Sequence, residues 1–149
     1  MATSKIDTSE LQKIITGRVV PHIYSFLTNT LPNYLKVGDT YRPIEERLNE
    51  WRRFYKDLEE VSCHRATIND EVFFRDYAVH KYLQRKGISQ IPRNVSKNVY
   101  SNEFFEGARE SDVSKAIEDI VNNYQKAGIY EYYRYDDTKT LVEYHHPRT

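Results

Sequence analysis

The sequence predicts an α/β chain of the α+β kind: a small, mostly antiparallel sheet of about three strands flanked by helices, with an extra C-terminal hairpin. Three observations lead there. Two runs rich in β-branched and aromatic residues, 18–28 and 34–39, are separated by the turn-forming segment NTLPN. Segments near 43–59, 70–87 and 111–128 repeat apolar residues at three and four, the period of helices packed on one side. A third alternating run, Val61–Ile68, falls between the first two of these helices.

At 149 residues and 17.8 kDa the chain is long enough for one domain, which at this size buries roughly 70% of the surface its unfolded chain exposes. The 22 basic and 22 acidic side chains cancel, which excludes a domain that grips nucleic acid through one large uniform positive field and leaves room for a local basic groove. Thirteen tyrosines, each an apolar ring with a polar tip, suit half-wet grooves and base-stacking surfaces. The single Cys63 allows no intramolecular disulfide and fits a reducing compartment. No apolar run approaches the roughly 20 residues of a bilayer span, and the first ten residues lack the layout of a signal peptide, so a cytoplasmic protein without membrane partners is expected.

Residues 1–17 read as an N-terminal helix, with Ser4, Thr8 or Ser9 as caps and Gly17 as its stop. The first strand places His22, Tyr24 and Phe26 on one face and Ile23, Ser25 and Leu27 on the other, and Pro21 puts its beginning at a sheet edge or bulge. The second strand, Tyr34–Asp39, passes through Gly38. Pro43 fits the first turn of a helix running to about Glu59, whose stripe Ile44, Leu48, Trp51 and Tyr55 contains one cation, Arg47. Glu45, Glu46, Glu50, Arg53 and Lys56 read as its solvated side. Asn69 or Asp70 can cap the next helix, on which Phe73, Asp76, Tyr77, His80 and Leu83 share a face before Gly87 ends it. A polar loop spans 91–102, NEFF follows as a short strand or turn, and the helix 111–128 turns Val113, Ala116, Ile117, Ile120, Val121 and Tyr124 inward. Residues 129–149 suggest a hairpin, 129–135 against 140–145, turning at Asp136–Asp137.

Four groups carry chemistry: Tyr24, Lys36, Arg47 and Asp76. Together they are a kit for phosphodiester cleavage, with a phenol or amine to take a proton from water, a guanidinium to stabilise charge on phosphate, and a carboxylate to hold a divalent metal. Each also has a plainer reading: a strand tyrosine at the rim of the core, a solvated edge lysine, an arginine paired with Glu50 or another carboxylate.

In order, HIY at 22–24, KVGDT at 36–40, RPIEERL at 42–48, FFRDYAVHKYL at 73–83 and NEFF at 102–105 resemble the phage-type branch of the GIY-YIG nuclease superfamily, over about residues 18–125. The resemblance implies a metal-dependent DNA endonuclease of restriction, repair or mobile-element type over 18–128. It implies that Tyr24 activates or orients the attacking water and that Lys36 replaces a second tyrosine. Arg47 would stabilise the transition state, and Asp76 would hold a single Mg²⁺ or Mn²⁺. A catalytically degenerate domain that binds DNA or protein is the alternative. Trp51 stands where many members carry His or Tyr and cannot accept a proton. His80 and Glu103 match the branch without an assigned role, and Glu71 is an alternative ligand if the helix register shifts. Asp76 is shorter than the usual glutamate by one methylene, about 1.5 Å. Lys36, with an ordinary pKa of about 10.4, acts as a base only if burial or Arg47 lowers that value, and is otherwise a phosphate-binding cation. The ending EYHHPRT resembles the lead-in to a helicase core, so DNA and a helicase or methylase domain in the same full-length chain are the expected partners.

Overall fold

A strand buried at consecutive positions needs cover on both sides, and His22–Leu27 (β1) is of this kind, with Ile23, Tyr24, Ser25 and Phe26 all buried. A computed structural model describes residues 20–69, 72–92, 100–123, 131–135 and 141–145. In it β1 lies inside a four-stranded antiparallel sheet, between Tyr34–Thr40 (β2) and Glu59–Arg65 (β3), with Phe104–Glu106 (β6) on the far side of β2. Pro21 is thus not at a sheet edge. It precedes the first ladder residue, so its missing N–H costs no hydrogen bond, and its carbonyl accepts from Ala66 N–H at 2.8 Å.

The first helix, Ile44–Trp51 (α1), starts after Pro43, and its hydrogen bonding continues in turns to Tyr55, whose N–H reaches the Trp51 carbonyl at 2.9 Å. It does not run to Glu59. That residue pairs with Leu27 in β3, and the ladder outweighs the local helical pattern. The third alternating run divides: β3 ends at Arg65, Ala66 is buried, and Thr67–Asn69 (β4) enters a second sheet.

The largest correction concerns residues 72–85. Val72–Phe74 is a strand (β5), and the helix begins only at Asp76, as Asp76–Arg85 (α2). Three apolar β-formers are drawn into a ladder with 132–134, a pairing that no local window reveals. The end of α2 is as expected. Gly87 adopts φ 86°, and the Ile88 and Gly87 N–H groups reach back to the Leu83 and Gln84 carbonyls, closing the helix in a Schellman motif.

Glu110–Asn123 (α3) buries Val113, Ala116 and Ile120, with Ile117 and Val121 partly covered. Glu131–Tyr135 (β7) and Leu141–His145 (β8) form the expected antiparallel hairpin. It is not an appendage, because β7 pairs with β5 and completes the four-stranded order β4-β5-β7-β8. The first sheet likewise has four strands rather than about three. The expected N-terminal helix, the tip at Asp136–Asp137, Tyr124 and Glu71 lie outside the described residues.

Two cores result. Ile23, Leu35, Val37 and Phe105 pack against α2 and α3, while Tyr24, Phe26 and Phe104 pack against Leu48 and Trp51 of α1. The first sheet is therefore a central layer with α1 on one face and α2 and α3 on the other. Among the described residues no helix is long and apolar enough to cross a membrane.

Candidate active site

Register decides what meets. Tyr24 stands opposite Gly38, and Phe26 opposite Lys36, so these side chains share the face covered by α1. An ideal Cβ on Gly38 would lie 2.7 Å from Lys36 Nζ and 2.8 Å from Tyr24 Oη, so the missing side chain is what lets the phenol and the ammonium converge there.

On this face the groups are cationic and aromatic. Trp51 Nε1 donates to Tyr24 Oη at 2.6 Å, so the indole that cannot accept a proton instead orients the phenol. Lys36 Nζ lies 4.5 Å from the Trp51 ring centroid, and the Arg47 guanidinium carbon lies 5.0 Å from it. Arg47 donates to Glu50 at 2.8 Å, while Arg42 grips the same carboxylate with two bonds of 2.6 and 2.7 Å. Hydrogen bonds from Arg42 and then Arg47 hold the Glu50 carboxyl down at about 2.

On the opposite face the groups are acidic. Asp39 accepts from Arg75 Nε at 2.9 Å and from the Asp76 backbone N–H at 3.0 Å, so a strand residue caps α2. Asp76, first residue of that helix, is only 3% exposed. Its carboxyl is pushed well above the ordinary range by burial and by the neighbouring charges of Asp39 and Glu103, and it is hydrogen-bonded to Glu103. His80 Nε2 meets the Val37 carbonyl at 2.7 Å. A carbonyl only accepts, so Nε2 carries the hydrogen, and burial favours the neutral ring.

Glu103, immediately before β6, joins the two faces. Its Oε1 accepts from Lys36 Nζ at 2.8 Å, and it also bonds Asp76. Burial works against the Glu103 charge, but the Lys36 ammonium and the hydrogen bonds from Lys36 and Asp76 outweigh it and the carboxylate stays ionised. For Lys36, burial works against the ammonium, and Tyr24 and Glu103 more than compensate, so its pKa lies above the ordinary value. Of its two candidate roles, base or cation, the environment favours the cation.

Asp76, His80 and Glu103 offer ligand atoms within 4.8 Å of one another. Oxygen donors suit a hard cation such as Mg²⁺ or Mn²⁺, and two carboxylates sharing a proton are the groups such an ion would hold together. His80 would join them only by giving up its bond to Val37 or by presenting Nδ1.

The residues named from the sequence thus come together, Glu71 excepted, but they do not line an open cleft. Tyr24 and Lys36 are 0% exposed, and the solvent-facing side chains are Arg47 at 31% and Glu103 at 28%. The aromatic cluster under α1 and the Lys36–Glu103 pair close the rest. In the sequence Asp39 is only the end of the second strand, while Glu50 reads both as solvated surface and as a partner for Arg47. The i,i+3 spacing of Arg47 and Glu50 was a usable signal for their pair, whereas the Asp39–Arg75 contact, between a strand and a distant helix, had none.

Residues 21–123 match the T5orf172 domain family, which is more than half of the 149-residue chain, and the chain belongs to that family. No curated protein and no solved structure matches it.

Proposed function

We propose that this T5orf172 domain is a DNA endonuclease of the GIY-YIG type that hydrolyses phosphodiester bonds with one divalent metal. The observation that carries the reading is a continuous chain of contacts: Tyr24 and Lys36 converge at Gly38, where a Cβ would collide with the phenol and the ammonium, Lys36 shares the Trp51 ring with Arg47 and pairs with Glu103, and Glu103 bonds Asp76. Packing alone gives no reason to bury a lysine and a carboxylic acid beside a half-covered carboxylate, since desolvating such groups in their charged forms costs several kcal/mol per ion.

In this reading Arg47, part-exposed at the rim, meets the phosphate first and neutralises charge that grows in the transition state. Glu50 keeps its guanidinium aimed and Trp51 supports it from below. Tyr24, held by the Trp51 N–H, orients the attacking water. Lys36 stays protonated, adds positive charge beside the phosphate and holds Glu103 ionised. Asp76 and Glu103 would hold the Mg²⁺ or Mn²⁺, which when bound supplies Lewis-acid stabilisation of the phosphate oxygens.

The test is nicking of supercoiled plasmid with Mg²⁺ or Mn²⁺. Arg47→Ala should lower the rate by about 10²–10³-fold, the usual consequence of losing one charge-stabilising donor. No nicking by the folded wild-type chain, or nicking unchanged in Arg47→Ala, rules the reading out. A second reading, a degenerate domain that binds DNA without cutting it, is favoured by one observation: Tyr24 and Lys36 have no exposed surface. Salt-dependent DNA binding that survives Tyr24→Phe and Asp76→Ala, without cleavage, would establish it.

A further inference from the structure

Phe54 and Tyr100 are 47% and 50% exposed, which is unusual for rings that could be buried. They lie side by side, with centroids 4.5 Å apart and planes inclined at 38°. Both are anchored from beneath. Tyr100 stands edge-on to Tyr55 at 5.8 Å, its backbone N–H donates to Tyr55 Oη at 3.0 Å, and Phe54 stands edge-on to Trp51 at 6.2 Å. Trp51 is the same indole that carries Lys36 and Arg47 on its ring. One side chain therefore separates the exposed pair from the cations of the candidate site.

The chain on both sides of Phe54 carries exposed cations, Arg53 and Lys56. The nearby Asp57 carboxylate is turned to the β1–β2 turn, where Thr28 Oγ1 and the Asn29 N–H reach it at 2.7 and 2.8 Å. Rings interleaved with cations next to a phosphate site fit nucleic acid better than an apolar peptide. Bases inside a duplex already have both faces covered by neighbours, so away from duplex ends only an unpaired base can lie on these rings.

We propose that Phe54 and Tyr100 form a stacking platform for an unpaired base beside the phosphate met by Arg47, so that the site acts on DNA with a single-stranded segment at the point of attack. The location of that phosphate rests on the nuclease reading; the platform itself rests on the exposed rings and the cations beside them.

The test is fluorescence anisotropy of a short labelled oligonucleotide, single-stranded or annealed to its blunt complement, titrated with the whole chain at fixed salt without divalent metal. The single strand should bind more tightly. Phe54→Ala and Tyr100→Ala should each weaken it by about five- to a hundredfold, the range for stacking one base on an aromatic side chain, and leave the duplex unchanged. Phe54→Trp should retain binding, and Phe54→Leu should behave as Phe54→Ala, which separates stacking from simple apolar contact. Circular dichroism checks that each variant folds. Equal loss for both DNA forms, wild-type binding by Phe54→Leu, or a dimer in sedimentation that Phe54→Ala dissolves would overturn the platform. Metal-dependent cleavage with unchanged Phe54→Ala affinity overturns it while sparing the nuclease reading. Ring-dependent single-strand binding without cleavage supports it and defeats that reading instead.

Discussion

On the side of β2 that faces α1, Lys36 and Gly38 meet Tyr24 and Trp51, whose ring also carries Arg47; on the other side Asp39 meets Asp76 and Arg75, and the Val37 carbonyl meets His80. Lys36 and Asp39 thus bring opposite charges to the two faces of one strand, because a strand turns alternate side chains to opposite faces. The α1 side is aromatic and cationic, suited to phosphate. The α2 side is a cluster of carboxylates, suited to a metal. Glu103 belongs to both, since it pairs with Lys36 on one side and bonds Asp76 on the other. Opposite charges can be concentrated within one small site when a backbone layer separates them and a single side chain bridges the edge.

If the two faces divide the work in this way, the acidic face is broken most completely by Asp76→Asn. Mn²⁺ should raise the Tm of the wild-type chain, since binding to the folded state alone is what stabilises, and Asp76→Asn should lose both that rise and cleavage. The same variant has a pH signature. The Asp76 carboxyl is raised in the fold, so its contribution is fully present below its unfolded pKa and is lost as pH rises through the folded value. Without metal, Asp76→Asn should therefore match wild type in acid and become progressively the more stable of the two toward alkaline pH. Thermal melts across that range check it, and an Asn variant less stable at every pH would defeat the assignment.

The bridge is tested by Lys36→Met. Removing the ammonium leaves Glu103 without its main counter-charge, and because Glu103 keeps 28% side-chain exposure the expected cost is about 3 kcal/mol, the low end for a broken buried pair. Urea unfolding of Lys36→Met and of the double variant Lys36→Met/Glu103→Gln measures it, with the second change expected to recover part of the loss.

A smaller effect is expected from Trp51→Phe, which keeps most of the ring and deletes the donor to Tyr24 Oη. About 1–2 kcal/mol should be lost, the usual consequence of leaving one buried polar atom short of a partner. Smallest of all is Glu50→Gln. The carboxyl titrates at about 2, below its ordinary value, so its stabilisation is present above the unfolded pKa and fades as pH falls through the folded one. The pair is more than a third exposed on the Glu50 side, and screening holds the effect at neutral pH under about 1 kcal/mol. Wild type and Glu50→Gln should converge near pH 2, while cleavage by the variant should fall more than its stability if aiming Arg47 is what Glu50 does.

Much of this was legible in the chain itself. The alternation in 22–27 and the glycine at 38 fix which side chains share a face, because period two is a local property of any strand. The turn at NTLPN, the stop at Gly87 and the i,i+3 partner of Arg47 are local as well. Residues 70–75 misled for a physical reason. Val72, Phe73 and Phe74 fit a helical stripe as well as a strand, and a short apolar run does not distinguish the two. Their partners in β7 settle the matter from about sixty residues away.

The sequence by itself determined the antiparallel hairpin and the helix carrying Arg47, both consequences of short-range periodicity and turn chemistry. Only the tertiary structure decided that Asp76 opens a helix under the carboxylate of Asp39, that Glu103 reaches across to Lys36, and that Tyr24 and Lys36 are sealed from water. Those outcomes depend on ladders and ion pairs between segments distant in the chain, whose energies exist only once the layers have packed.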